Sequence, residues 1–231
     1  MLDPMCGRIA LYDEPERVAR VLDARLEVDL DGWRPEWNLG PSRTILGVDL
    51  DREGQRVLHA YRWGLIPAWV KDPSTVKRTF NARAESVATK PMYRHAFEKW
   101  RILVPVSGFF EWEAVPTGKK QPHYFTRRDG EALVFAGLQA RWRDAEGGEL
   151  YTATIITTEA GPDMDGIHDR QPAVLNPEVW DRWLDRANPD RAGLEKLLRP
   201  PAGVLQHWKV DPAVGSVRNN SPELIAAYSP A

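Results

Sequence analysis

Short apolar segments separated by turn residues run through most of this chain and limit the folds open to it. Residues 44–50 and 55–63 flank a turn at 51–54, a pattern typical of a β-hairpin. Turn clusters also separate further predicted strands, at 102–106, 123–127, 132–141 and 150–157. Because strands and helices do not alternate regularly, the pattern predicts an α+β fold with mainly antiparallel sheet.

Helical patterns are fewer and short. The predicted helices are 14–26, 91–100, one that starts at 176 and a short one that starts at 188. In the third helix Trp180 and Trp183 belong to an apolar stripe, which places them in the core. No repeat or low-complexity linker divides the chain, so we expect a single domain over residues 1–231.

Composition excludes several classes of protein. A single cysteine among 231 residues excludes an internal disulfide and a cysteine-rich zinc site, and it suits a reducing cytoplasm. The five histidines show no metal-ligand spacing, so we expect neither a metal nor a cofactor. The sequence contains no secretion signal and no run of about 18 apolar residues. We therefore expect a cytoplasmic, nucleoid-associated protein that does not enter a membrane.

The charge distribution is uneven although the formal net charge is only −2. Residues 71–101 hold eight basic and three acidic side chains, an excess of five positive charges. Such a stretch can follow a phosphate backbone, or it can be an ordinary solvated face. Ten tryptophans leave a similar choice between base stacking and core packing.

Cys6 is the residue with the most distinctive chemistry. If residues 1–5 are removed, Cys6 carries a free amine and a thiol on adjacent carbons. An α-amino group has a pKa of about 7.7 to 8.0, so part of it is neutral and nucleophilic at pH 7. The amine can form a Schiff base with an aldehyde, and the thiol can then close a thiazolidine ring. The alternative is that this lone cysteine is a small buried hydrophobe.

Several motifs accompany Met5-Cys6-Gly7-Arg8 in a fixed order. They are Trp37-Asn38-Leu39-Gly40-Pro41, Trp63-Gly64-Leu65-Ile66-Pro67, Phe80-Asn81-Ala82-Arg83-Ala84-Glu85, Gly108-Phe109-Phe110-Glu111-Trp112, Ile167-His168-Asp169-Arg170-Gln171-Pro172 and Val217-Arg218-Asn219-Asn220. Over nearly its whole length the chain thereby resembles the SOS response-associated peptidase (SRAP) family. The resemblance implies antiparallel sheets that form a barrel-like core with a few flanking helices. It also implies that the protein is a sensor of abasic sites, which crosslinks to them in single-stranded DNA and shields the lesion.

The resemblance also assigns roles to individual residues. Cys6 is the implied nucleophile, with Asn81, Glu111 and His168 as its catalytic companions. A carboxyl group suits the proton transfers of sugar ring opening, an imidazole exchanges protons at neutral pH, and an uncharged amide can orient the amine. Without the motifs, Asn81 could cap a turn, Glu111 could pair with an arginine, and His168 could be a buried polar residue.

The implied DNA contacts lie beside these companions. Arginines would hold phosphates, while a tryptophan and the 38–41 loop would supply stacking and backbone contacts. The implied DNA-binding residues are Arg8, Asn38, Pro41, Trp63, Arg83 and Arg170. The expected partner is single-stranded DNA containing abasic sites, bound by a protein that is itself a monomer.

The start of the chain departs from the family pattern, in which members begin Met-Cys. Either translation starts at Met5, or the protein removes residues 1–5 itself, and an abasic-site lyase activity can accompany the crosslink. Two other functions stay open at this point. One is a cysteine peptidase or N-terminal-nucleophile amidase, and the other is a noncovalent single-stranded DNA-binding module.

Overall fold

A computed structural model describes residues 7–28, 32–116, 118 and 120–229. The strands in this part of the chain are β1 (Ile9–Leu11), β2 (Arg25–Leu26), β3 (Glu36–Leu39), β4 (Thr44–Leu50), β5 (Arg56–Trp63), β6 (Asn81–Arg83), β7 (Arg101–Val106), β8 (Gly108–Ala114), β9 (Lys120–Arg127), β10 (Leu133–Arg143), β11 (Glu149–Glu159), β12 (Arg170–Pro172) and β13 (Leu205–Lys209). The α-helices are α1 (Pro15–Val21), α2 (Ala84–Val87), α3 (Arg94–Lys99), α4 (Trp180–Leu184) and α5 (Arg191–Leu197). Short 3₁₀ turns cover Pro73–Thr75, Pro162–Met164, Pro177–Val179, Pro212–Gly215 and Pro222–Ile225.

Five strands close into a barrel. The order β11-β10-β7-β4-β5 runs through antiparallel pairs, and β5 then pairs with β11 in parallel, with Arg62 opposite Thr152 and Trp63 opposite Ala153. The expected barrel-like core and α+β class are therefore confirmed. The sheet also includes parallel pairs of β6 with β11 and of β2 with β5. A closed ring protects its strands from the edge pairing that open sheets allow.

A second sheet packs against the barrel. Its strand order is β13-β9-β8-β1-β3, and the pairs are antiparallel. The Phe109 ring of β8 stacks on Phe125 of β9 and meets the edge of Phe135, which belongs to the barrel strand β10. We call the buried apolar cluster that contains these three rings the central cluster; Ile9, Trp63, Ile155 and Ile167 also belong to it.

The helices are shorter than the sequence patterns predict. The first ends at Val21 because Asp23 adopts a left-handed φ of 48°, and the chain then enters β2. The helix predicted at 91–100 is α3 and covers only Arg94–Lys99. The third begins as a 3₁₀ turn, and both Trp180 and Trp183 are buried as expected. No helix in the described part of the chain is both long and apolar enough to span a membrane.

Arg101 corrects one part of the charge argument. It was counted among the basic residues of 71–101, yet its side chain is buried beside Trp183. The guanidinium donates to the backbone carbonyls of Phe97, Glu98, Trp183 and Asp185. This cation joins β7 to two helices and does not contribute to a surface for DNA.

Candidate active site

Cys6 lies outside the described residues, and the structure begins with the residues that follow it. The carbonyl of Arg8 accepts a hydrogen bond of 3.0 Å from the amide of Phe110, and Ile9 is opposite Phe109. Glu111 follows Phe110 in the chain, so β1 pairs with β8 directly beside this predicted acid.

Glu111 is a buried acid on β8, with 3% of its surface exposed. Side chains alternate along a strand, so Glu111 shares a face with Phe109, whose ring belongs to the central cluster. A carboxyl group on this face is therefore shielded from bulk water, as a group that shuttles protons to a bound sugar needs to be.

Asn81 lies at the start of β6, where its backbone is held on both sides. Its partner on β11 is Ile155, and the Tyr93 hydroxyl donates to the Asn81 carbonyl over 3.2 Å. Opposite residues of a ladder project to the same face, so the Asn81 side chain lies on the side of Ile155 and the central cluster. Asn81 and Glu111 thus approach one cluster from different sheets.

His168 follows the 3₁₀ turn Pro162–Met164 and precedes β12. Its Nδ1 lies 3.0 Å from the backbone nitrogen of Arg170. The Asp169 carboxylate lies 3.1 Å from the same Nδ1. The preceding residue, Ile167, packs in the central cluster. A residue that adjoins each of the three predicted companions therefore belongs to the central cluster.

An open cleft of about 1180 Å³ joins three of the predicted site residues, Arg83, His168 and Arg170. Arg83 is exposed, and among the described residues it forms no ion pair. Arg170 instead makes a two-pronged ion pair with Glu85 at 2.5 and 3.0 Å and donates to the Thr157 carbonyl. Burial opposes ionisation of Glu85, but the hydrogen bond from Arg170 holds the pKa of that carboxyl below its usual value.

Arg8 is half-buried and Asn38 is buried, and both side chains bind other parts of the protein; their contact with DNA stays a prediction. The Arg8 guanidinium donates to the Asn38 side-chain oxygen and to the Val214 carbonyl, both at 2.6 Å, and lies over the Trp112 ring. Burial lowers the pKa of Arg8. The Asn38 amide nitrogen donates to the carbonyls of Val214 and, in the same segment, Ser216 and Asn219. The two side chains hold residues 213–220 against the sheet.

The burial of Trp63 contradicts its predicted stacking on a DNA base, because none of its surface is exposed. Its indole N–H donates to the Phe80 carbonyl at 2.8 Å, and its ring meets the Phe80 ring edge to face. It cannot stack on a base without leaving the core. Pro41 is half-buried at the turn between β3 and β4, and its contact with DNA stays a prediction.

Comparison with known proteins decides the family. Residues 5–217 match the profile described as SOS response associated peptidase (SRAP). The chain belongs to the SRAP family. A relative from Bacillus subtilis, named abasic site processing protein YoqW, is 36% identical over 97% of this chain and 100% of its own length. The Gallus gallus protein named abasic site processing protein HMCES is 36% identical over 96% of this chain and 77% of its own.

Solved structures share the SRAP fold seen here. A protein of Bacteroides thetaiotaomicron superposes with a TM-score of 0.87 over 97% of this chain and 100% of its own, at 24% identity, and shows the fold alone. A phage-related protein of Bordetella bronchiseptica gives a TM-score of 0.69 at 32% identity, covering 89% of this chain and 94% of its own.

Two further residues of this SRAP protein were not predicted from the sequence. Trp69 is 64% exposed in the loop that leads from β5 towards β6, and it lines a separate cleft with His95 and Trp100. His123 is opposite Glu111 in the β8–β9 ladder. Strand alternation could have placed His123 on the Glu111 face, but the register between the two strands is set by the turn and is not readable from either strand alone.

Proposed function

We propose that this protein recognises abasic sites in single-stranded DNA and bonds covalently to them through Cys6. Membership of the SRAP family and the names of the curated relatives support this function. The observation that supports it most is that Ile155, Phe109 and Ile167, which adjoin Asn81, Glu111 and His168 in a ladder or in sequence, belong to one buried cluster beside β1 and β8.

The reaction is a condensation that releases one water. The sugar ring opens when the C1 hydroxyl loses a proton and the ring oxygen gains one, which gives the aldehyde. The Cys6 amine adds to this carbon, and the carbinolamine loses water to form an imine. The thiol then adds to the imine carbon while its proton passes to the nitrogen, which closes the thiazolidine.

Each companion has a distinct task in this scheme. Glu111, shielded on its strand face, supplies and removes protons during ring opening and water loss. His168 exchanges a proton with a sugar hydroxyl through its imidazole. Asn81 orients the amine through its amide without titrating. Arg83 binds a phosphate beside the cleft. Arg170 binds one as well and keeps its ion pair with Glu85.

Removal of residues 1–5 precedes the reaction if they are translated, because the Cys6 amine is otherwise tied up in a peptide bond. We propose that the same residues hydrolyse the Met5–Cys6 bond. Intact-mass measurement of the purified protein and of Glu111→Gln tests this: cleavage in the first and retention in the second are expected. An imine that escapes ring closure can undergo β-elimination, which would nick the strand as a lyase does.

One assay separates the proposal from a plain DNA binder or an amidase. The protein is incubated with single-stranded DNA that carries one abasic site, denatured, and resolved by gel and mass spectrometry. The expected product has the mass of protein plus DNA less one water and is absent with Cys6→Ala. Glu111→Gln and His168→Gln should slow its formation, whereas Glu146→Gln and His95→Gln, on exposed positions elsewhere, should not. Wild-type protein that binds this DNA without forming the product would refute the proposal.

A further inference from the structure

Two histidines and two other charged residues form a side-chain cluster across three strands of the second sheet. His123 on β9 is buried, with 4% of its surface exposed, and its Nδ1 lies 3.1 Å from Nδ1 of His207 on β13. Its Nε2 lies 3.1 Å from the Glu113 carboxylate on β8, which in turn lies 3.9 Å from the Lys209 ammonium. His207 is exposed and connects the cluster to solvent.

The contacts fix where the protons lie. A carboxylate only accepts hydrogen bonds, so His123 donates to Glu113 through Nε2–H. In a neutral ring the other nitrogen is then an acceptor, so His207 donates its Nδ1–H to His123. One proton more on His123 would put two N–H groups against each other, and the pair would lose its hydrogen bond.

This cluster adjoins the proposed acid. His123 is directly opposite Glu111 in the antiparallel ladder, and such pairs have Cβ atoms about 4.5–5.5 Å apart on one face. Glu113, two residues along β8, shares that face. The charge state of His123 therefore acts on Glu111 at short range, in a region that excludes bulk water.

We propose that His123 is a positioning residue for the crosslinking reaction: the His123–His207 pair keeps an uncharged imidazole beside Glu111 at neutral pH, and its protonation suppresses the reaction in acid. The inference rests on the proposed function of Glu111. A cation at this distance stabilises the Glu111 carboxylate and removes the proton that Glu111 must donate for ring opening.

The surroundings of the pair favour the neutral form at pH 7. Burial lowers the pKa of His123, although its hydrogen bond with Glu113 acts in the opposite direction. Burial and the neighbouring His123 lower the pKa of His207. The charged and titratable groups that face the pair come from several elements: Glu111 and Glu113 from β8, Lys209 from β13, Arg128 after β9, and Asp163 from the 3₁₀ turn Pro162–Met164.

The test compares pH–rate profiles of crosslinking for the wild type and His123→Gln between pH 5.0 and 7.5. Glutamine can donate to Glu113 and accept from His207 but carries no charge. Protonation of the Cys6 amine affects both proteins equally, so it cancels in the ratio of variant rate to wild-type rate. We expect this ratio to rise at least about tenfold from pH 7.5 to 5.0, because the wild type gains a charge on His123 beside Glu111 and the variant does not.

Glu113→Gln is the second variant, for the case that His123→Gln does not fold. Loss of the carboxylate makes a protonated His123 less stable. The crosslinking rate of this variant should therefore begin to fall at a lower pH than the rate of the wild type. His95→Gln, which alters a histidine on α3, should give a constant ratio. A ratio that stays within about twofold for His123→Gln and Glu113→Gln overturns the inference alone, whereas a wild type without crosslinks at any pH overturns the proposed function and this inference with it.

Discussion

Replacement of Asn38 tests whether its side chain holds residues 213–220 against the sheet. The amide nitrogen donates to three carbonyls, at 3.1 Å to Val214 and at 2.9 Å to both Ser216 and Asn219. The side-chain oxygen accepts from Arg8. Since the amide has only two protons, one is shared, and alanine removes the equivalent of two donor bonds and one acceptor bond.

The magnitude follows from these three bonds. A hydrogen bond contributes about 0.5–1.5 kcal/mol net, so Asn38→Ala should lower the free energy of unfolding by about 2–4 kcal/mol. Asn38→Asp keeps the size and the acceptor for Arg8. It loses both protons, however, and turns an oxygen towards three carbonyl oxygens. We therefore expect the aspartate variant to be at least as unstable as the alanine variant.

Urea unfolding measures the effect. For a slope of about 3 kcal/mol/M, the midpoint should fall by about 1 M in both variants. Amide hydrogen exchange should accelerate in residues 213–220 before it does so in the barrel strands. A loss below about 1 kcal/mol for Asn38→Asp, with unchanged exchange in this segment, would show that the clamp does not depend on the amide protons.

Three further predictions concern other residues. Gly108→Ala should destabilise the protein by about 1–3 kcal/mol, because the new Cβ would lie 2.2 Å from the hydroxyl oxygen of the buried Tyr124; an unchanged melting temperature would contradict this. Trp63→Phe should lower the free energy of unfolding by about 1–3 kcal/mol, because it loses packing and an N–H donor. The affinity for single-stranded DNA, measured by anisotropy titration, should stay unchanged. A selective loss of affinity would instead support a stacking role for Trp63. The pKa values of His123 and His207 are lower in the folded protein than in the unfolded chain, where both residues bind protons near pH 6.5. The free energy of unfolding should therefore fall from pH 7 to pH 5. His207→Gln should reduce this fall, and an identical fall in the variant would contradict the lowered pKa of His207.

Local patterns in the sequence predict local structure well in this protein. The β4–β5 hairpin falls within one residue of the predicted bounds, because Asp51 sets the turn by accepting the amides of Glu53 and Gln55. The first helix was predicted too long, since Arg25 and Leu26 pair with β5 instead of continuing a helix. Nonlocal strand pairing overrode a helical pattern there.

Side-chain direction was harder to predict at the site. Arg8 and Trp63 each lie in a motif of the family, and a motif does not tell whether an arginine or a tryptophan points to DNA or to the core. The decisive partners, Val214 for Arg8 and Phe80 for Trp63, are supplied by the tertiary structure. The catalytic roles of Asn81, Glu111 and His168 stay predictions. Residues that adjoin all three belong to the central cluster, which is compatible with those roles.

The parallel pairing of β6 with β11 makes Asn81 dependent on residues far away in the chain. Its ladder partner, Ile155, comes more than seventy positions later, and contacts between distant segments form slowly because a long loop must close first. A ribosome-bound chain that ends before β11 has no template on which to set Asn81. The proposed site can therefore be complete only after β11, and with it most of the polypeptide, has been synthesised.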